Sequence, residues 1–273
     1  MKKLFALLAL ISTSAHAEDY SIFNPVPDDK LRPFTTERPS KTDSVFTVDS
    51  GHLVIESNLF NYIQNDDAGT KTTQNIFAGS TNFRLGLTQD MDFQVIVDAY
   101  KDAEIESAGA KTNREGFGDT ILRLKYSFAG NDGEDFGIAA IPYVKLPTNQ
   151  DDLGNDDVEY GLGIPFNYNM PDGWSIGGMT QFNFLKDQTD DSGYDTNYTN
   201  ALILGKSFTD SLSGYAEFFT SKTDASGAQW ANSLDFGVVY AVSDSWRVDT
   251  GVNFGVTDAA DDLSWFVGTA YRF

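Results

Sequence analysis

The chain contains no cysteine and only two histidines, and its 19 basic residues face 40 acidic ones. Each shortage removes a class of protein. Without cysteine there are no disulfides and no thiolate metal sites, so stability must come from another source. Histidine occurs at His16, in the leader, and at His52, so a Ser-His-Asp site would have to use His52. No serine partner can be assigned to it, and a histidine with no catalytic role at the rim of the fold is the expected reading. The shortage of basic residues argues against nucleic acid, because binding phosphates requires a basic surface. After the leader, no stretch approaches the ~18 consecutive apolar residues of a transmembrane helix. Glycine-rich phosphate loops and nucleophile elbows are missing too, since Gly116-Phe117-Gly118-Asp119 follows a loop and enters a strand. Neither a cofactor nor a resident metal is expected.

The amino terminus is informative. Lys2-Lys3, an apolar run from Leu4 to Ile11, and Ala15-His16-Ala17 form a secretory signal peptide over residues 1–17. Its removal leaves 17 basic residues and a net charge of −23. An exported chain without cysteine or a membrane helix is either a soluble periplasmic protein or an outer-membrane β-barrel. Residues 18–48 are polar, contain Pro25, Pro27, Pro33 and Pro39, and show no sustained period, so they predict an extended segment that is periplasmic or inserted in a lumen.

From residue 49 to 273, alternation dominates. Twelve strands are predicted, at 51–63, 74–87, 92–102, 117–129, 135–147, 158–169, 173–186, 196–208, 212–222, 230–242, 245–257 and 263–273. Leu122, Leu124, Tyr126 and Phe128 oppose Asp119, Arg123, Lys125 and Ser127; Trp246, Val248, Val252 and Phe254 oppose Arg247, Asp249, Gly251 and Asn253. One face is apolar with aromatics near its ends, and the other is polar. Links alternate between short ("TQDMD", "AGNDGED", "MPDG", "TDS", "SDS") and longer, acidic ones ("NDDAGTKT", "DAEIESAGAKTNRE", "TNQDDLGNDD", "DQTDDSGYDT", "TDAADD"). Short periplasmic turns and longer extracellular loops characterise an all-β, twelve-stranded antiparallel transmembrane barrel. A soluble β-sandwich also alternates, and it is the competing fold.

On the barrel reading, Glu56, Arg84, Asp98, Asp119, Arg123, Lys125, Lys145, Glu159, Glu217, Asp235, Arg247 and Asp249 point into the lumen. Charges there need water or partners. They form either a selectivity lining or a paired, closed interior. Arg32, Glu37, Arg38, Lys41 and Asp43 directly precede the first strand, and residues 31–48 are expected either to enter the lumen and pair with these charges or to hang loose as a tail. The acidic loops collect oxygen ligands without the spacing of a calcium motif, so they read as solvated surface or as bridges through divalent cations to lipopolysaccharide. The closing "LSWFVGTAYRF" alternates to an aromatic end, pairs with the first strand, and places Tyr271 and Phe273 in an aromatic girdle. There they also resemble a signal for the outer-membrane assembly machinery. Membrane lipid, lipopolysaccharide, that machinery and a small solute of unknown identity are the expected partners.

Three stretches resemble an outer-membrane, transporter-like family labelled MetA-pathway of phenol degradation. They are Thr36-Glu37-Arg38-Pro39-Ser40-Lys41-Thr42-Asp43 with Val48, Gly51 and Glu56; "GFGDTILRLKYSF" from Gly116 to Phe128; and Lys145-Leu146-Pro147-Thr148. Family members usually carry Asp where this chain has Glu37, and often Asp or Glu in place of Ser40. The resemblance implies an outer-membrane barrel that passes or binds small molecules, aromatic or hydrophobic compounds among them. A structural or surface-display barrel and an outer-membrane hydrolase are the alternatives.

Overall fold

A computed structural model describes residues 20–67, 70–77, 79–107, 110–150, 153–187 and 193–273. The leader assigned to 1–17 lies outside the described residues, as do 151–152 and 188–192 of two acidic loops. Fifteen ladder segments are present: β1 (Leu53–Asp67), β2 (Thr70–Phe77), β3 (Ser80–Thr88), β4 (Met91–Asp98), β5 (Lys101–Ser107), β6 (Ala110–Gly116), β7 (Thr120–Ala129), β8 (Phe136–Leu146), β9 (Glu159–Met170), β10 (Trp174–Lys186), β11 (Tyr194–Ser207), β12 (Leu212–Thr223), β13 (Ala231–Ser243), β14 (Trp246–Gly255) and β15 (Leu263–Arg272). Among the described residues, no helix is long and apolar enough to cross a membrane.

These segments build a closed barrel of twelve antiparallel strands. The ring runs β1-β3-β4-β7 and then β8 through β15 in order, and β15 returns to β1. At the seam Val54 faces Arg272 and Gln64 faces Leu263, and the Phe273 N–H donates to the Leu53 carbonyl at 2.8 Å. Closure matters because an open edge would leave backbone groups unpaired in hydrocarbon. The remaining segments, β2, β5 and β6, extend three strands beyond the ring at the long-loop end.

That extension corrects the sequence reading, in which 65–72 and 102–115 were loops. The structure makes their described residues ladder: Asp66 faces Lys71 across β1–β2, and Glu106 faces Lys111 across β5–β6. Beyond the membrane neither face of a hairpin needs apolar residues, so the period-two hydrophobic signal fades while the ladder continues. Ion pairs such as Lys111–Glu104 (2.6 Å) take the place of apolar packing there. At the breaks the sheet continues through the Gly79 N–H to the Asn58 carbonyl and the Gly118 N–H to the Asp98 carbonyl, both 2.9 Å. Gly118 is required for that approach, since a Cβ there would lie 2.6 Å from the Asp98 Cβ.

The distribution of side chains is inverted relative to a soluble sandwich. The fully buried large side chains include Arg84, Lys125, Gln94, Glu56, Asp92 and Asp235, whereas Leu124, Ile164, Leu202, Leu234, Phe236 and Val238 are exposed on the outer wall. A sandwich core would be apolar; a barrel with its apolar face toward lipid gives the observed pattern. Trp174, Phe208, Tyr240, Trp246, Tyr271 and Phe273 stand exposed near the short-turn end, forming a girdle. The small apolar cluster inside the barrel, Phe34, Val48, Val54 and Ala270, lies at the same end.

Candidate functional site

Residues 32–49 run through the interior of the ring. Their prolines, Pro33 and Pro39, keep this stretch out of any ladder, so its main-chain N–H groups need other acceptors. Inward carboxylates of the wall supply them. Glu56 on β1 accepts the N–H groups of Glu37 (3.0 Å) and Arg38 (3.1 Å). Asp92 on β4 accepts the Val48 N–H at 3.1 Å. On β12, Glu217 accepts those of Lys41 (2.9 Å) and Thr42 (2.8 Å), together with the Thr42 hydroxyl.

Side chains then lock the segment to both sides of the lumen. On the β1–β7 side, Arg84 is fully buried and binds Glu56 (2.8 Å), Asp92 (2.9 Å) and Glu37 (2.9 Å). Lys125 donates to the Glu37 carboxylate and to the Ser44 carbonyl, and Arg123 pairs with Asp43 at 2.6 Å. Burial pushes the Glu37 carboxyl up, but Arg84, Lys125 and Arg123 outweigh it and hold Glu37 at about 2. On the β12–β15 side, Arg38 grips Asp249 through two nitrogens (2.6 and 3.1 Å), donates to Asn58 at 2.5 Å and lies over the Phe266 ring. Lys41 pairs with Asp235 at 3.1 Å, and Arg32 pairs with Asp49 at 2.7 Å near the short-turn end.

The structure thus brings Glu56, Arg84, Arg123, Lys125, Glu217, Asp235 and Asp249 together with Glu37, Arg38, Lys41 and Asp43. The other inward charges stand apart from that network. Lys145 binds Asp119 (3.0 Å) and Glu159 (2.9 Å) at the long-loop rim, and Asp98 pairs there with Lys101 at 2.6 Å. Arg247 sits over Phe34 and, among the inward cations of the described residues, is the one with no carboxylate within 4 Å. His52 is engaged by backbone oxygens at both ring nitrogens, Val26 at 2.8 Å and Phe273 at 3.0 Å. Neither contact has the geometry of a catalytic triad.

Sequence reasoning missed several contributors. Asn131, in the short link "AGNDGED", accepts the Thr47 N–H at 3.1 Å and donates to its hydroxyl at 2.8 Å. On the β8–β11 arc, Tyr143, Gln181, Asn183, Asn197 and Thr199 bond to one another with no charge among them. An uncharged inward face carries no signal beyond alternation. Toward the long loops the segment leaves two adjoining cavities of about 310 and 320 Å³, which share Lys41, Asn61, Asn253 and Ser264. Amides and hydroxyls, Asn58, Asn82 and Ser233 also among them, share this vestibule's wall with charged residues such as Arg38, Glu56 and Asp261. Toward the short turns lies a cavity of about 250 Å³ between Phe34, Phe46, Asn131 and Asn169. Among the described residues no cluster of His, Cys, Asp and Glu could hold a metal ion.

The family model described as "Putative MetA-pathway of phenol degradation" matches residues 36–273. Among solved structures, the NanC porin aligns with a TM-score of 0.53 at 9% identity, over 81% of this chain and 100% of its own. The translocator domain of the autotransporter NalP from Neisseria meningitidis aligns at 0.51 and 12% identity, over 82% and 89%. The KdgM porin aligns at 0.51 and 12% identity, over 81% and 99%. At such identities the likeness is one of fold. No curated protein sequence matches the chain.

Proposed function

The chain belongs to the family described as "Putative MetA-pathway of phenol degradation", and we propose that it is a passive outer-membrane channel for small solutes whose lumen is narrowed by its own residues 31–48. The observation that carries this reading is the set of bonds from residues 37–43 to inward charges on opposite sides of the ring, Arg84 and Arg123 on one and Glu217 and Asp249 on the other. A barrel filled only for stability has no need of cavities above and below its plug, and this one has both. That two barrels of like fold are porins is in keeping with passage of solute.

The vestibule favours polar over purely hydrophobic solutes, since its amides and hydroxyls would be left unpaired against a hydrocarbon. Residues 1–17 act as the export signal, the short turns face the periplasm, and Tyr271 and Phe273 serve the assembly machinery. The engagement of His52 by backbone oxygens is in keeping with a non-enzymatic function.

The test is deletion of residues 31–48, followed by single-channel recording in planar bilayers. Conductance is expected to rise several-fold as the lumen opens. An unchanged conductance would refute the plug, and absence of current from both proteins would favour a structural or display barrel.

A further inference from the structure

The segment is not bonded evenly around the ring. Its ionic partners lie on β3, β7, β13, β14 and β15, and no ion pair joins it to β8, β9, β10 or β11 among the described residues. Below the Lys145–Glu159 pair at the long-loop rim, the wall on that arc is built from small or uncharged inward residues: Asn167 on β9, Ser175 and Gly177 on β10, Ile203 and Gly205 on β11. Between this wall and residues 36–46 lies a further cavity of about 140 Å³. It shares Glu37, Ser40 and Asp43 with the vestibule above and Phe46 with the cavity below.

We infer that the permeation route passes along the β9–β11 wall, with its constriction between Ser175, Ile203 and residues 36–46, and that it selects small uncharged solutes bearing hydroxyl or amide groups. This rests on the channel reading above and adds the path and the solute class. Both follow from the chemistry of the slot. Its carboxylates, Glu37 and Asp43, are neutralised by Lys125 and Arg123 on the far side. What remains toward the passage is hydroxyl and amide (Ser40, Ser175, Asn167) beside an apolar strip (Val45, Phe46, Ile203). A charged solute would lose its hydration there without meeting an unpaired counter-charge. A neutral solute keeps hydrogen bonds on one side and apolar contact on the other.

The native absence of cysteine makes the test direct. Ser175→Cys and Ile203→Cys place thiols in the slot, and Ser127→Cys places one on the sealed β7 side, where Ser127 is buried. Each variant is checked for folding by heat-modifiable mobility, then exposed to a small methanethiosulfonate reagent. Labelling is read by intact mass and current in planar bilayers. The expected result is labelling at 175 and 203 with conductance reduced about two-fold or more, reversed by dithiothreitol, and no effect at 127. Labelling at 127 with 175 and 203 protected would overturn the route, and that pattern is read by mass whether or not current flows. A wild-type protein that passes no current would instead refute the channel reading. Liposome swelling tests the class: arabinose should enter several-fold faster than gluconate, and equal rates would overturn the selection of uncharged solutes.

Discussion

Arg38 is the single side chain on which retention of the plug depends most. Its guanidinium makes two bonds to Asp249, one to Asn58, and lies 5.6 Å from the Phe266 ring centre. The Asp249 side chain is only 3% exposed, so Arg38→Ala leaves a carboxylate enclosed without its cation. Breaking a buried pair from one side costs about 3–5 kcal/mol in a dry interior. Water can follow the departing side chain from the vestibule, so the lower figure applies. About 3 kcal/mol shifts the balance between seated and released segment by roughly 100-fold, since each ~1.4 kcal/mol is a factor of ten. Open and closed dwell times in planar bilayers report that balance directly. Arg38→Ala should raise the open fraction strongly, and Asp249→Asn should do the same. The double variant should add little to either single change, because both remove one interaction. Additive effects, or an unchanged open fraction in Arg38→Ala, would refute the claim that this pair holds the segment.

Three other outcomes follow from the same network. Glu37 is held at about 2, below its ordinary 4.5, so its contribution to seating is present above pH 4.5 and is lost as pH falls toward 2. It amounts to on the order of 3 kcal/mol, and conductance should rise across that window in the wild type but not in Glu37→Gln. Gly268→Ala should mimic Arg38→Ala in the same recordings, because a Cβ at that position would meet the Arg38 guanidinium on the inner wall. Deleting Phe273 removes the backbone bond to Leu53 at the seam and the ring packed edge-on against Tyr271, so the heat-modifiable, membrane-inserted fraction should fall; normal insertion would count against the seam as an assembly element.

The wall of this barrel is legible in the sequence because lipid imposes one rule on every strand within the membrane. Alternation therefore locates β15 and its partner β1, and it assigns Arg84, Lys125, Asp235 and Asp249 to the inner face with no knowledge of their partners. The rule lapses outside the membrane, so β5 and β6 read as a loop. Partner choice inside the lumen is a different matter. Arg38 meets Asp249 across 211 positions of sequence, and nothing local in either stretch distinguishes Asp249 from Asp235. The neutral stretch of the β8–β11 arc was hidden for a related reason: Gly177, Ser175 and Gly205 matter because of what they leave empty.

The two kinds of bond that seat the segment divide the work between them. Glu56 and Glu217 each accept two main-chain N–H groups, at residues 37–38 and 41–42, on different sides of the ring. Such bonds are indifferent to side-chain identity and fix only the depth and direction of the backbone. Arg38, Lys41 and Asp43 then select which wall charges each position meets, and so set the register. A chain threaded one residue out of step would still satisfy many amides, but it would set Lys41 and Asp43 against the wrong charges in a nearly dry enclosure. Because like or unpaired charges there are costly, the ion pairs act against mis-seated arrangements as well as holding the seated one, while the carboxylate–amide bonds add retention that does not depend on register. Replacing Lys41 and Asp235 together by Met and Leu should therefore leave the segment seated but broaden its conductance into several levels. A single sharp level in that double variant would show that the amide bonds alone are sufficient to set the register.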